Sequence, residues 1–466
     1  MHHYVQFTQY TQLPRFLGSA AIVLALALAA TARGAEYHIL PQGSGAQDGS
    51  DWDNAAPPVA VRRILAETVQ PGDRILLGSG TYHLPRNRAS NTVVPVPRGG
   101  TANAPIRVLG VDTGEGQPTI EGRWRETNTR YHAHCAACFS LAQGVSHVTI
   151  EGLRIVGFMH GVTTAGGNSQ LTFKSLDIER CREGFRFART TDSTIVDCTI
   201  LRYTKRGVRF ETGCQRMTLT RVHADATGGD TAWPAENFPF GFSIEDDPTN
   251  RDIRYFECTA RNNLHRGEPD AYWNGDGFTA EQGVSGVRYE RCLAVDNMDG
   301  GWDDKSTAPT LIDCIALGNK RAIRIWNAQG DEEHPARLTN CIGAYSVQRG
   351  GTGGTAGLWT CGHVVAERCT FHNNPFAAVS VDDNGRTGHA VLRNCILSRD
   401  TADADAPLIS MGRDTTCQSE GVIQWQPGAS APNPDYVADS ETWKGRPIDA
   451  LNSRRYGPSK GAWHDE

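Results

Sequence analysis

Acidic and basic side chains that could act together on a substrate are concentrated in one short stretch of the chain. Asp276 precedes a Gly-Phe pair, Asp299 precedes Gly-Gly-Trp, and Asp303 directly follows that tryptophan. Carboxylates are ligands for hard cations such as calcium, which takes about six to eight oxygen ligands. Lys305 and Arg324 follow in the sequence and could accept a proton if their charge were suppressed. These residue types predict a metal site beside a base, provided that the fold brings them together.

Each of these aspartates has a simpler interpretation as a turn residue, because Asp before Gly is common in turns. However, three aspartates occur beside two Gly-aromatic pairs, with basic residues nearby. This combination favours a functional site over the interpretation as turn residues alone. Asp304 differs from the others. Strand alternation points its side chain inward, so it must be hydrogen-bonded there or be turned outward by a bulge.

A sequence repeat predicts how distant residues are brought together. Short segments such as VTIEGL, TLIDC and AVLRNC recur from residue 148 onward, most of them about 22 to 28 residues apart. About ten short strands at this spacing, separated by Gly, Asn and Asp turns, are typical of an all-β parallel solenoid. A propeller would need about 40 residues for each four-stranded blade.

A second repeated column places the candidate groups on one face. Its segments alternate apolar and polar residues, so strand geometry directs Phe278, Trp302 and Ile323 inward. The residue after each of them points outward, and neighbouring strands lie about 4.8 Å apart. The predicted outward row consists of Arg186, Arg209, Ser243, Thr279, Asp303, Arg324, Trp359 and Ser380. A second outward row consists of Glu211, Glu245, Glu281, Lys305 and Trp326.

Some of these outward residues are candidates for substrate binding. Arg186 and Arg209 are either solvated strand charges or groups that hold the carboxylates of a sugar-acid polymer, because arginine pairs with carboxylate in a bidentate manner. Trp326 either stacks on a sugar ring or only packs. The net charge of −6 and the pI near 6.2 give no basic footprint for nucleic acid, so we expect no nucleic-acid partner.

The N-terminus has the pattern of an export signal. Arg15 precedes an apolar run that is too short to span a membrane and ends in small residues. We therefore expect a secreted or periplasmic protein with no membrane association after signal cleavage, and we expect a monomer. The predicted segments are a signal peptide over 1–34, a β-helix domain with its N-terminal cap over 35–425, and a C-terminal cap or tail over 426–466.

The predicted N-terminal cap contains one amphipathic helix. Val61, Ile64, Leu65 and Val69 recur at helical spacing after two prolines. A helix before a long β array is suited to covering the open end of the first coil.

The thirteen cysteines of an exported chain first suggest disulfides. Seven of them recur at the same place in the repeat, and buried cysteine behaves as a small hydrophobe, so we predict a column of buried thiols. The column consists of Cys198, Cys258, Cys292, Cys314, Cys341, Cys369 and Cys395. Cys135 and Cys138 lie outside this column and could form a tight disulfide or bind metal, and no second cysteine or histidine pair completes a zinc set.

The segments NGDGFTAE, NMDGGWDDKS and AIRIW resemble the calcium and catalytic segments of family 9 polysaccharide lyases. These are right-handed parallel β-helix enzymes that cleave pectate by calcium-assisted β-elimination. The resemblance implies that Asp276, Asp299 and Asp303 are calcium ligands and that Arg324 takes the place of the family's catalytic lysine. Gly300 stands where the family usually has a further aspartate.

The sequence thus predicts a right-handed parallel β-helix of about ten or more coils and a secreted, calcium-dependent lyase that acts on a polyuronate such as pectate. Arg324 is the first candidate for the base, and Lys305 and Lys320 are the alternatives. Arg186, Arg209 and Trp326 are the predicted substrate-binding residues.

Two other functions fit the same scaffold. A glycoside hydrolase would use two carboxylates, such as Asp303 with Glu281 or Asp304, as acid and base. A non-catalytic β-helix would bind glycans, and its aspartates would only form turns.

Overall fold

The computed structural model describes residues 34–85, 91–122, 136–227, 239–264, 274–327, 330–350, 353–400 and 406–428. Residues 1–33 of the predicted signal peptide, residues 429–466 of the predicted C-terminal cap, and Cys135 lie outside these ranges. Within the described ranges, no helix has the length and apolar character needed to cross a membrane.

Nearly all the regular structure consists of short parallel strands in three long sheets. Sheet 1 has 14 strands: β1 (Glu36–Ile39), β2 (Arg74–Leu77), β5 (Ile106–Gly110), β8 (Ser146–Glu151), β11 (Asn168–Lys174), β14 (Thr190–Val196), β17 (Gln215–Thr220), β20 (Arg254–Phe256), β23 (Arg288–Glu290), β26 (Thr310–Ile312), β29 (Ala336–Thr339), β32 (His363–Glu367), β35 (His389–Arg393) and β38 (Thr416–Glu420). Sheet 2 has 12 strands: β4 (Thr92–Val96), β7 (Ala137–Leu141), β10 (His160–Thr164), β13 (Glu183–Phe187), β16 (Arg206–Phe210), β19 (Phe240–Ile244), β22 (Phe278–Ala280), β25 (Gly300–Asp304), β28 (Arg321–Ile325), β31 (Ala356–Thr360), β34 (Ala377–Val381) and β37 (Ile409–Met411). Sheet 3 has 13 strands: β3 (Thr81–Tyr82), β6 (Thr119–Glu121), β9 (Arg154–Val156), β12 (Asp177–Glu179), β15 (Thr199–Leu201), β18 (His223–Asp225), β21 (Thr259–Arg261), β24 (Leu293–Val295), β27 (Ile315–Leu317), β30 (Ile342–Ala344), β33 (Thr370–His372), β36 (Ile396–Ser398) and β39 (Ile423–Trp425).

From β2 to β37, each coil of the chain contributes one strand to each sheet, and the same strand of the next coil pairs beside it. In sheet 2, Phe278 pairs with Trp302, and Trp302 pairs with Ile323. This stacking is a parallel β-helix, and the number of strands in each sheet confirms the predicted ten or more coils.

The inward side chains of the three sheets fill one continuous core. Phe278 and Trp302 are fully buried, and their rings stack with centroids 4.9 Å apart. The predicted cysteine column is confirmed, because all seven thiols are buried and unbridged. Cys138 is also a buried free thiol.

A buried asparagine ladder connects coils at the turn before sheet 2. Tyr203 donates its hydroxyl hydrogen to Asn263 Oδ1 over 2.5 Å, and Asn263 Nδ2 donates to Asn297 Oδ1 over 2.7 Å. Asn297 Nδ2 then donates to Asn319 Oδ1 over 2.8 Å. Because all three asparagines are buried, these bonds satisfy groups that water cannot reach.

One short helical segment lies between β1 and β2. It is an α-helix over Ala60–Arg63, which continues as a π-helix over Ile64–Thr68 and packs against β4. Val61, Ile64 and Leu65 are buried, as the helical spacing predicts. That this segment covers the end of the β-helix remains a prediction.

Candidate active site

The predicted outward row of sheet 2 exists in the predicted register. Thr279 of β22 pairs with Asp303 of β25, and Asp303 pairs with Arg324 of β28. On either side the row continues as predicted, from Arg186 at one end to Ser380 at the other. Sheet pairing therefore brings an acid and a base from different coils to adjacent positions on one face.

Asp299 lies in the turn before β25 and contacts two arginines of the next coil. Its Oδ1 accepts a hydrogen bond from Arg321 Nη1 over 2.8 Å, and its Oδ2 accepts one from Arg324 Nη1 over 3.3 Å. Both carboxylate oxygens of Asp299 are thus paired with guanidinium groups.

Asp303 is only 3% exposed and has three partners. Trp326 Nε1 donates to its Oδ1 over 2.8 Å, whereas Lys305 Nζ and Arg324 Nη1 lie 3.1 and 3.6 Å from its Oδ2. Burial opposes ionisation of Asp303, but the charges of Arg324 and Lys305 outweigh it and lower the pKa of this carboxyl. Asp303 is therefore a paired carboxylate.

Asp276 has a different environment. It is 1% exposed, its Oδ1 accepts the Gly300 N–H over 2.6 Å, and its Oδ2 has no hydrogen-bond partner among the described residues. Burial and the charges of Asp303 and Asp299 raise its pKa well above the ordinary value. The three predicted aspartates are thus close enough to influence one another.

Lys305 lies between two carboxylates. Its Nζ is 2.9 Å from Glu281 Oε1 and 3.1 Å from Asp303 Oδ2. Burial lowers the pKa of Lys305, but the two acids outweigh burial and raise it above the ordinary lysine value. A lysine held in its charged form is a poor proton acceptor, so these contacts disfavour Lys305 as the base.

Lys320 is also an unfavourable base. Burial lowers its pKa, but the residue is 3% exposed and its Nζ donates to the carbonyl of Gly350 over 2.7 Å. A substrate would have to displace this bond to reach the amine.

Arg324 is the basic group that faces outward beside the acids. Its guanidinium carbon lies 4.5 Å from the ring centre of Trp326 and 5.0 Å from that of Trp359. Stacking of this kind holds a guanidinium plane against aromatic faces. The predicted sugar-stacking residue Trp326 therefore positions Arg324 and Asp303.

Asp304 lies inside the coil, so its side chain is hydrogen-bonded there and is not turned outward by a bulge. It is fully buried and accepts hydrogen bonds from the Tyr289 hydroxyl over 2.9 Å and the Ser306 N–H over 2.8 Å. Burial raises its pKa to about 6. Because Asp304 and Asp303 point to opposite sides of β25, they cannot act as an acid–base pair on one substrate.

Calcium, which the resemblance implies, does not fit the carboxylates as they lie. In the part of the chain that the structure describes, no three His, Cys, Asp or Glu side chains are arranged to hold a metal ion. The oxygens of Asp299 and Asp303 are paired with nitrogen donors, and a cation there would meet the charges of Arg324 and Lys305.

The position of Gly300 also has no space for the aspartate that family 9 polysaccharide lyases usually have there. A Cβ atom at this position would lie 2.6 Å from the carbonyl oxygen of Trp302 and 2.9 Å from Asp276 Oδ1. The backbone around Gly300 leaves no room for a further carboxylate ligand.

The predicted substrate-binding arginines lie on the same face but are paired with glutamates. Arg186 Nη2 is 2.8 Å from Glu211 Oε1. Arg209 lies 3.1 Å from each of Glu211 and Glu245. These ion pairs support the structural interpretation of both arginines, although they leave partly exposed charges along the face.

An open groove of about 570 Å³ lies beside Arg324, toward the C-terminal coils. Its lining includes Arg321, Arg324, Trp359, Phe376, Asp382 and Met411. Phe376 and Met411 carry no sequence signal for a site, because they lie just before β34 and at the end of β37, where apolar residues are ordinarily inward. Their exposures of 45% and 46% appear only in the folded chain.

No protein-family model matches this chain. The chain is 22% identical to pectate lyase L of Dickeya dadantii (strain 3937) over 372 residues, which is 75% of this chain and 81% of that protein. It is thus similar to a polysaccharide-acting enzyme at low identity.

Among solved structures, pectate lyase Pel9A is similar with a TM-score of 0.54 and 17% identity, covering 86% of this chain and 82% of its own. The A-module of the Azotobacter vinelandii mannuronan C-5 epimerase AlgE6 is similar with a TM-score of 0.55 and 12% identity. The match covers 81% of this chain and 95% of that module. A catalytic domain of an α-1,3-glucanase reaches a TM-score of 0.50 at 11% identity. At these identities the structural similarity establishes the parallel β-helix fold alone.

Proposed function

We propose that this protein is a polysaccharide lyase that cleaves a polyuronate such as pectate by β-elimination. One observation carries the proposal: Arg324 faces outward beside the buried Asp299 and Asp303, at the edge of an open groove. The similarity to pectate lyase L supports the same reaction class. The N-terminal sequence supports export, so the proposed location is the periplasm or the exterior of the cell.

In the proposed reaction a base removes the proton from the carbon next to the uronate carboxylate. The electrons of that C–H bond form a carbon–carbon double bond, the glycosidic C–O bond breaks, and the leaving oxygen takes up a proton. The barrier falls when positive charge stabilises the carboxylate during proton loss. Arg321 supplies such charge next to the groove, and a base at Arg324 becomes cationic as it takes up the proton.

Arg324 is our proposed base because it lines the open groove, whereas Lys305 does not line it and is paired with Glu281 and Asp303. A guanidinium is protonated at ordinary pH, so the reactive neutral form is scarce. We therefore expect the rate of elimination to rise with pH into the alkaline range, because each rise in pH increases the neutral fraction.

Calcium is implied by the resemblance, but the carboxylates do not fit it as they lie, so we assign no step to it. The charge that a metal would supply to the substrate carboxylate comes, in our proposal, from Arg321, and from Arg324 as it takes up the proton.

The test is the absorbance of unsaturated uronate products from a panel of polyuronates, measured with calcium and with chelator. We expect such products from at least one polymer. Arg324→Ala should reduce the rate by about 100-fold or more, the range that a positioned acid or base contributes. Arg393→Ala, in the exposed edge of β35 on sheet 1, is the matched control and should retain the wild-type rate.

Two outcomes would overturn the proposal. The absence of unsaturated products from every polyuronate, with and without calcium, would exclude a lyase. Saturated reducing ends would instead support a glycoside hydrolase, for which Asp303 and Glu281 remain on one face but share Lys305 as a partner.

A further inference from the structure

The groove beside the candidate base has a chemically mixed lining. Arg321 and Arg324 line it together with Asp382 and Asp383. Phe376 and Met411 also line the groove, with nearly half of their surfaces exposed. The lining therefore offers charged groups and an exposed aromatic ring to one ligand.

Arg321 has the features of a positioned receptor for an anion. It is 9% exposed, its Nη1 is fixed by Asp299 Oδ1 at 2.8 Å, and its guanidinium carbon lies 5.7 Å from the ring centre of Trp359. Arg321 also lines the groove, and a guanidinium held in this way is suited to bind a ligand carboxylate.

Two glycines keep this site open. A Cβ atom at Gly353 would lie 2.6 Å from Arg321 Nη2, and one at Gly354 would collide with the ring of Phe376. Any larger residue at either position would push the arginine or the aromatic ring out of place.

Two aspartates of the lining are held by hydrogen bonds of their own. Asp382 Oδ2 accepts a hydrogen bond from Trp359 Nε1 over 3.0 Å, and Asp383 Oδ2 accepts one from the Arg413 N–H over 3.1 Å. These carboxylates repel an anion but accept hydrogen bonds from hydroxyl groups. A uronate unit in the groove would thus place its carboxylate on Arg321 and its hydroxyls toward the aspartates.

We propose that this groove is a binding subsite for a hexuronate unit, with the sugar carboxylate on Arg321 and the sugar ring against Phe376. From β28 to β37 the groove crosses three strand spacings, or about 14 Å, which exceeds one sugar ring. The unit bound here would be a neighbour of the reacting unit, because Arg324 borders both places. This subsite rests on the proposed function for its choice of polymer.

The test is calorimetric binding of saturated oligogalacturonates and oligomannuronates of increasing length, in chelator, without any need for turnover. We expect one acidic series to bind and its methyl-esterified counterpart to bind about tenfold more weakly or worse, because the ester loses the charged carboxylate. Phe376→Ala should weaken binding by about fivefold, in keeping with the loss of one aromatic contact. Arg321→Gln should weaken it by about tenfold or more.

Ile423→Ala is the control, since Ile423 is an exposed apolar residue at the same end of the molecule but on sheet 3. Equal binding by wild type and Phe376→Ala, equal binding of the ester, or no binding of either acidic series would overturn the subsite. Phe376 is exposed, so its variant should fold even if Arg321→Gln does not.

The two proposals fail separately. Unsaturated products with unaltered binding in Phe376→Ala would leave the lyase function standing and remove the subsite. Oligouronate binding that depends on Phe376, with no elimination products, would support the subsite and exclude the lyase function.

Discussion

At the residue scale, the candidate site is defined by how its charges are paired. Asp299 and Asp303 contact Arg321, Arg324 and Lys305 at distances of 2.8 to 3.6 Å. Such pairing offsets the cost of burying the carboxylates. It also occupies the oxygens that a metal would need.

The first prediction concerns calcium. We expect no calcium binding to the wild-type protein by calorimetry at millimolar calcium, and no change in Tm on adding chelator. Lys305→Ala should gain calcium affinity, because it frees one oxygen of Glu281 and one of Asp303 from an ammonium partner.

Arg393→Ala, which removes an unrelated exposed cation, is the control and should gain no affinity. Calcium binding by the wild type that disappears in Asp276→Asn would contradict the prediction. That result would instead support the calcium site implied by the resemblance.

At the element scale, sheet 2 presents a second charged cluster beside the candidate site. Glu183, at the start of β13, is fully buried and lies 3.1 Å from both His160 Nδ1 and Arg182 Nη1. Arg206 and Arg209 of β16 lie 3.6 and 3.5 Å from the same carboxylate. Strands of three successive coils are thus joined by one buried acid.

The second prediction is the pH dependence of stability that follows from Glu183. Burial raises the pKa of this carboxyl, but His160 and the arginines outweigh burial and lower it well below the ordinary glutamate value. Its stabilising contribution is therefore complete above the unfolded-state pKa of about 4.3 and is lost as the pH falls below that value.

Glu183→Gln should lower Tm at neutral pH, because it removes the buried anion that His160 and three part-buried arginines share. The same variant should flatten the decline of Tm between about pH 4.3 and more acidic values. Thermal unfolding at a series of pH values measures both effects. Glu420→Gln, whose side chain is 82% exposed, should follow the wild-type curve. If the Tm of Glu183→Gln fell with decreasing pH as steeply as that of the wild type, other carboxyl groups would control the acid dependence of stability.

At the scale of the whole molecule, the stack of coils replaces covalent cross-links. All twelve described cysteines are free, and eleven of them are buried in the coils. Burial raises the pKa of Cys198 and of Cys214 to about 12, which removes the reactive thiolate at ordinary pH. Stability thus rests on packing and on strand pairing through the length of the stack.

The third prediction concerns these thiols. In native buffer we expect almost none of the twelve to react with a thiol reagent, and all of them to react after denaturation. Reducing agent should leave Tm unchanged, because no described cysteine is bridged. A fall in Tm with reductant would show a disulfide that stabilises the fold.

The sequence by itself determined the solenoid, its register and the outward row. Each coil repeats an alternation of apolar and polar residues, and a shift of one position would expose Phe278 and Trp302 to solvent, so the pattern admits one register. The adjacency of Asp303 and Arg324 follows from that register and needs no further information.

Only the tertiary structure decided how the charges are satisfied and where the groove lies. The sequence does not show that Arg321 pairs with Asp299, that Lys305 bridges two acids, or that Phe376 is exposed. These features depend on side-chain directions in turns between coils, where the period of the repeat is broken. The alternation of apolar and polar residues in a strand determines which face of the sheet a residue occupies. Which oppositely charged group a side chain pairs with depends on all the neighbours that folding brings within a few ångströms.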